Sequence, residues 1–273
     1  MKGISFIGAG NMGGAILKGA LAKDFLKAED VFIYDVNTEV LNNWKQNYDV
    51  QTASSNQELA ETCEWIVLAV KPIFLQAVMD DIKPCLDSSK KIISIAAGWS
   101  IHMLQEAMGE SGAKLLRVMP NTPALVGEGL LALCEETTLE HHDFVWAQKL
   151  FATLGVVQIV PERLIDAVIA VSGSSPAYVF MFIDAMADAA VKLGMPRQMA
   201  IQSAAQAVMG SAKMVLETKL HPAILKDQVC SPGGTTIEAV QALEENGMRG
   251  AVIKAMTACA EKSKQMTNGS TKA

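Results

Sequence analysis

The 273-residue chain is 50% hydrophobic and 19% charged, too long for one compact core, of a size for two domains, and too apolar for intrinsic disorder. Its 23 basic and 29 acidic side chains give a net charge of −6, which speaks against nucleic acid or an anionic membrane recognised through bulk charge. Cys63, Cys85, Cys134, Cys230 and Cys259 are scattered and form no Cys-x-x-Cys pair, which fits a reducing, cytoplasmic setting rather than a disulfide framework or a zinc knuckle.

Lys2 and the apolar run behind it mimic a signal peptide, but Gly8, Gly10, Asn11, Gly13 and Gly14 break that run. The pattern instead predicts a strand at 4–7 and a helix at 12–22, then a strand at 31–34 and a helix at 39–46. Residues 65–70 are nearly all apolar, as a strand buried on both faces must be, and Pro72 opens a helix to about Ile82. Further strands are expected at 92–95, 114–118, 130–133 and 156–160. Strands alternating with helices imply an α/β domain with a doubly wound, parallel sheet of the Rossmann type. After Pro161 strand signals vanish and helices are expected at 164–171, 175–193, 197–218, 237–245 and 247–266. The reading is a dinucleotide-binding domain over 1–160 and an all-helical domain over 161–273, with a frayed polar tail from Thr267. The uncharged stretch between Asp166 and Asp184 is interrupted by Ser172-Gly173-Ser174-Ser175-Pro176, which argues against a membrane span.

Gly8-Ala9-Gly10-Asn11-Met12-Gly13 fits G-x-G-x-x-G between a strand and a helix. The first glycine permits the turn, the second admits a pyrophosphate, and the third lets helix and strand pack closely; the helix N-terminus then offers N–H groups and positive partial charge. Asp35 ends the second strand about twenty residues further on, where an acid that accepts ribose hydroxyls belongs. These features imply a nicotinamide or flavin nucleotide. No cation lies in Val36-Asn37-Thr38-Glu39 to meet a 2′-phosphate, although Asn37 and Thr38 can donate hydrogen bonds, so use of both NAD and NADP is expected. Ligands in such sheets bind outside the carboxyl ends of the strands, which adds Ala69, Val70, Lys71 and Pro72 after one strand and Ala96, Ala97 and Gly98 after the next. For Lys71 a solvated loop lysine is an equal reading. Asn121, in Pro120-Asn121-Thr122-Pro123, either contacts nicotinamide or caps the turn.

Cys230-Ser231-Pro232-Gly233-Gly234-Thr235-Thr236 precedes a helix, and N–H groups at such a first turn can hold a carboxylate; an ordinary Ser or Thr cap is the plainer alternative. Together with His221-Pro222, Leu225-Lys226-Asp227, Arg117 to Ala124 and Val171 to Tyr178, this segment resembles pyrroline-5-carboxylate reductase over essentially the whole length. The resemblance implies NAD(P)H-dependent reduction of the cyclic imine 1-pyrroline-5-carboxylate to L-proline, the last step of proline synthesis, without a metal. It places cofactor contacts on Gly8–Gly13, Asn56, Ala69–Pro72 and Ala96–Gly98, and substrate contacts on Ser231, Gly233, Gly234, Thr235 and Thr236. Gln228 stands where some members carry Asn. The family forms dimers with interleaved helical domains, which leaves a higher oligomer of dimers open.

An iminium needs only orientation, a grip on its carboxylate and a placed nicotinamide, so no strong acid–base residue is required. Thr236 is assigned to the reacting nitrogen. His102, His141, His142 and His221 are accordingly read as structural. A β-hydroxyacid-type dehydrogenase and a non-catalytic dinucleotide sensor are the alternatives.

Overall fold

The computed structural model describes residues 3–269. Its centre is an eight-stranded sheet: β1 (Ile4–Ile7), β2 (Val31–Tyr34), β3 (Gln51–Thr52), β4 (Trp65–Leu68), β5 (Lys91–Ser94), β6 (Lys114–Met119), β7 (Gly129–Cys134) and β8 (Gly155–Val160). The strand order is β3-β2-β1-β4-β5-β6-β7-β8. All pairings are parallel except that of β6 with β7. The expectation of a parallel sheet is corrected there: the short link Thr122–Val126 turns the chain straight back, and a parallel return needs a longer crossover.

Helices α1 (Asn11–Ala22), α2 (Thr38–Tyr48), α3 (Asn56–Thr62), α4 (Pro72–Ile82), α5 (Ile101–Met108) and α6 (His141–Ala152) accompany the strands. The two faces of the sheet carry separate apolar clusters. Ile4, Phe6, Ile16, Trp65 and Val67 belong to one, and Ile7, Ile66, Leu68, Leu75 and Leu104 to the other. Apolar strand residues are divided between the clusters, which is why β1 and β4 are buried at every position, Ser5 being the one polar residue among them.

One compact unit takes the chain through Gly173 and resumes at Cys259; the other is Ser174–Ala258. The first continues past Pro161 because Ile165 and Ile169, on α7 (Ile165–Val168) and the π-helical turn 169–173, are buried in the second cluster. Asp166 accepts a hydrogen bond from Ser263 at 2.6 Å within that unit. The second unit contains α8 (Ser175–Lys192), α9 (Arg197–Thr218), α10 (Pro222–Val229), α11 (Thr235–Glu245) and the first part of α12 (Met248–Gly269). Helix α12 continues into the expected frayed tail; residues 270–273 of that tail lie outside the described residues. Helical stretch 162–192 is long and apolar enough to cross a membrane by length and composition. A bend at Ser174 interrupts it.

Candidate active site

The sheet order reverses between β1 and β4, and the loops leaving the carboxyl ends of those strands are tied together. Gly8 N donates to Tyr34 O at 2.9 Å, and Ala69 N to Ile7 O at 2.9 Å. Gly8 has a φ of +93°, and a Cβ there would lie 2.9 Å from the Ala69 backbone. A Cβ at Gly13 would overlap the carbonyl oxygen of Gly8. A Cβ at Gly10 would meet nothing within 4 Å. Two glycines therefore let the loop close on the sheet, while the third leaves its outer side bare.

A cavity of about 740 Å³ opens at this point, bordered by Gly8, Gly10, Asn11, Met12, Asp35 and Asn37 on one side and by Ala69–Pro72, Ala96 and Ala97 on the other. That size lies within the range of about 300–1,000 Å³ usual for ligand pockets. Lys71 borders it, at the N-cap of α4 and exposed. Ala9 is buried behind the loop. Gly98 lies under α12, where an added Cβ would sit 3.6 Å from Met266. Trp99 Nε1 donates to Pro72 O at 3.2 Å and joins the loops after β4 and β5.

A second cavity of about 360 Å³ shares Gly8, Asp35, Val36, Val70 and Phe74 with the first and adds Asn56 and Asp81. Asn56 Nδ2 donates to Asp81 Oδ2 at 3.0 Å, and Asn56 Oδ1 is buried without a hydrogen-bond partner. The bare side of Gly10 and this unpaired acceptor both fit a dinucleotide. Asp35 is already engaged: Oδ2 accepts from Ala9 N and Oδ1 from Asn37 N, each at 2.9 Å. A carboxylate has about four acceptor positions, so it keeps capacity for ribose hydroxyls. Sequence reasoning missed Phe74, Met119 and Asp81. Met119 ends β6 and was reachable by the strand-end rule, whereas Phe74 and Asp81 lie within α4 and carry no such signal.

Asn121 does not cap its turn through the side chain but ties it to neighbouring elements. Its Oδ1 accepts from Leu130 N at 2.9 Å and its Nδ2 donates to Ser172 O at 3.0 Å, so both ends of the amide are used inside the protein. Arg117, buried at the start of the same segment, reaches Glu162 at 2.6 Å, and the same Glu162 oxygen accepts from Ile101 N.

In the helical unit, α11 begins at Thr235, so Thr235 and Thr236 occupy its first turn rather than the preceding loop. Gly234 is the N-cap, with no side-chain cap bond. The plain Ser/Thr cap is therefore not what this turn uses. Ser231 packs so closely on Gly234 that a Cβ there would overlap its hydroxyl. The first-turn N–H groups therefore have no side-chain cap, and the same turn carries Glu238. Gln228 is exposed on α10, one short turn upstream. His221 caps α10 through Nδ1, which accepts from Ala223 N at 3.2 Å. His102 and His142 lie 3.4 and 3.3 Å from Glu106 and Asp143, and none of the four histidines borders either cavity. Among the described residues no cluster of three or more His, Cys, Asp or Glu is placed to hold a metal ion.

A glycine-lined cavity at a sheet's switch point, together with a separate helical unit, fits the class of two-part, dinucleotide-type oxidoreductases. The models of known families agree with each part: residues 3–98 match an NADP oxidoreductase family described as coenzyme F420-dependent, and residues 162–266 match pyrroline-5-carboxylate reductase dimerisation. The chain is 47% identical to a pyrroline-5-carboxylate reductase of Escherichia coli, across 97% of this chain and 98% of that one. It is 35% identical to one from Arabidopsis thaliana, across 97% and 95%. A Plasmodium falciparum pyrroline carboxylate reductase solved with NADP bound superposes with a TM-score of 0.88 at 37% identity, across 97% and 98%. The chain belongs to the pyrroline-5-carboxylate reductase family.

Proposed function

We propose that this protein reduces the C=N bond of 1-pyrroline-5-carboxylate to give L-proline, the last step of proline synthesis, using NADPH or NADH. The full-length likeness to the reductases carries the reading. The cofactor, when bound, supplies the hydride to the ring carbon. The chain does the rest. Gly8–Gly13 and the N-terminus of α1 hold the pyrophosphate, Asp35 and Asn37 the adenosine ribose, and Asn56 a donor of the adenosine end. Ala69–Pro72, Ala96 and Ala97 line the nicotinamide side, and Gly98 completes the second of these loops without bordering the cavity.

The N–H groups at the first turn of α11, with Ser231, Gly233, Gly234, Thr235 and Gln228, grip the substrate carboxylate. That carboxylate is on the carbon next to the ring nitrogen, so the Thr236 hydroxyl reaches the nitrogen, accepting from an iminium or donating to an imine. Its pKa is far too high for it to be the ultimate acid, and the proton comes from water or from the substrate itself.

The same proposal assigns dinucleotide binding to 1–160 and substrate binding with dimerisation to 161–273. Phe180, Met181, Met209, Leu216, Val252 and Ile253 are exposed in the helical unit. An apolar surface of this kind is covered by a partner, and a second copy of the chain in a cytoplasmic homodimer covers it here, with no role for lipid or nucleic acid. Incubation with 1-pyrroline-5-carboxylate and NADPH, followed by chiral chromatography, is the test. L-proline formed in step with NADPH loss supports the proposal, and a folded dimer that makes none overturns it.

A further inference from the structure

We infer that Trp44 is a positioning residue for the pyrophosphate loop: with Asp35 it fixes two successive peptide planes around Ala9 before a dinucleotide arrives. The inference rests on the dinucleotide reading above.

Ala9 N donates to Asp35 Oδ2 at 2.9 Å, which holds the Gly8–Ala9 peptide. Trp44 Nε1 donates to Ala9 O at 3.1 Å, which holds the Ala9–Gly10 peptide. In a trans peptide the C=O and N–H point in opposite directions. Anchoring the Ala9 carbonyl on the indole therefore turns the Gly10 N–H away from Trp44. Gly10 is also the residue whose outer side is open and borders the larger cavity. The two bonds thus set the direction of a backbone donor at the point where a phosphate would approach.

The indole is seated for this task. It is 3% exposed, its ring lies 4.5 Å from that of Tyr48, and Lys18 Nζ lies 5.9 Å from it. A Cβ at Gly14 would come within 3.2 Å of Trp44 Cζ2, so the glycine next to the fingerprint gives the ring its place. A buried indole N–H needs an acceptor, and the Ala9 carbonyl is the one it uses. A preset loop spends less of the binding free energy on ordering itself.

Trp44→Phe keeps most of the ring and removes the donor. Direct titration with NADPH should give a Kd raised roughly five- to thirtyfold, as expected for one lost hydrogen bond. At saturating NADPH, kcat and the KM for the imine should stay within roughly twofold of wild type. An unchanged Kd, or a fall in kcat together with a rise in imine KM, overturns the inference. A wild-type protein that binds neither NADPH nor NADH overturns the dinucleotide reading instead. Amide exchange in the cofactor-free wild-type chain gives a readout that does not depend on the variant folding. Ala9 N–H should be protected there, and exchange at the rate of an open loop contradicts a preset clamp.

Discussion

Ala9 and Asp35, which lie on different loops, are joined by a 2.9 Å hydrogen bond from the Ala9 amide to the Asp35 carboxylate. The acid at the end of β2 thus ties down the glycine loop as well as bordering the cavity, on the side where the proposal puts the adenosine ribose. Two backbone donors soften its charge without removing it, so it discourages a 2′-phosphate only in part. Wild type should use both cofactors, with a kcat/KM ratio below about a hundredfold in favour of NADPH. Asp35→Asn should weaken both and raise the NADPH-to-NADH ratio by roughly tenfold, equivalent to ~1.4 kcal/mol. A ratio that stays put would mean Asp35 does not sense the ribose.

Gly10 and Gly13 should fail for different reasons when changed to alanine. At Gly10 a methyl has space in the free protein, so Gly10→Ala should melt close to wild type yet bind NADPH at least about tenfold more weakly, because the methyl stands where a phosphate must come. At Gly13 the methyl would overlap the Gly8 carbonyl, so Gly13→Ala should lose about 1–3 kcal/mol of stability as an overpacked site. Thermal melts and cofactor titrations on the two variants separate these outcomes. Equal melting losses would contradict the assignment.

The glycine loop was readable because each of its requirements is local: a strand, three glycines, a helix and an acid at a fixed distance. The short, mostly apolar strands are readable for the same reason, since β1 and β4 feed a cluster on each face of the sheet. The antiparallel direction of β7 was not, because Leu130–Leu133 has the same apolar texture whichever way it runs. Helices α3 and α10 carry too few turns to show a periodicity, and the role of His221 as the cap of α10 has no signature in the sequence. The Trp44–Ala9 bond spans 35 positions in sequence, and no periodicity reports a contact of that kind. The substrate turn became specific only through resemblance to a family.

Thr236 is half-buried in the first turn of α11 and is not its cap. Thr236→Ser keeps the oxygen and should retain most of the activity. Thr236→Val keeps the shape and should cost about 1–3 kcal/mol of transition-state binding, or roughly five- to a hundredfold in kcat/KM. NADPH affinity should hardly change. A Val variant with wild-type kcat/KM would remove Thr236 from the site.

Burial pushes the Cys63 thiol up to about 11 and the Cys134 thiol up to about 12. Both should stay protonated and resist iodoacetamide at pH 8 in the folded protein, unlike the more accessible Cys85, Cys230 and Cys259. A thiol whose folded pKa is raised binds its proton more tightly when folded. Its contribution is therefore complete below the unfolded value near 8.5 and is lost as pH rises toward 11–12. Urea titrations should show stability declining from about pH 9 upward, less steeply in Cys134→Ala. Early alkylation of Cys63 or Cys134 would contradict their burial.

The central claim is hydride transfer to a ring C=N whose neighbouring carboxylate is held, and steady-state kinetics on paired substrates test it most directly. With NADPH, 1-pyrroline-5-carboxylate should be reduced with a kcat/KM at least about a hundredfold above that for open-chain oxo acids, which lack the ring nitrogen the site is built to meet. Equal or faster reduction of the oxo acids would contradict the account and point to a hydroxyacid-type dehydrogenase.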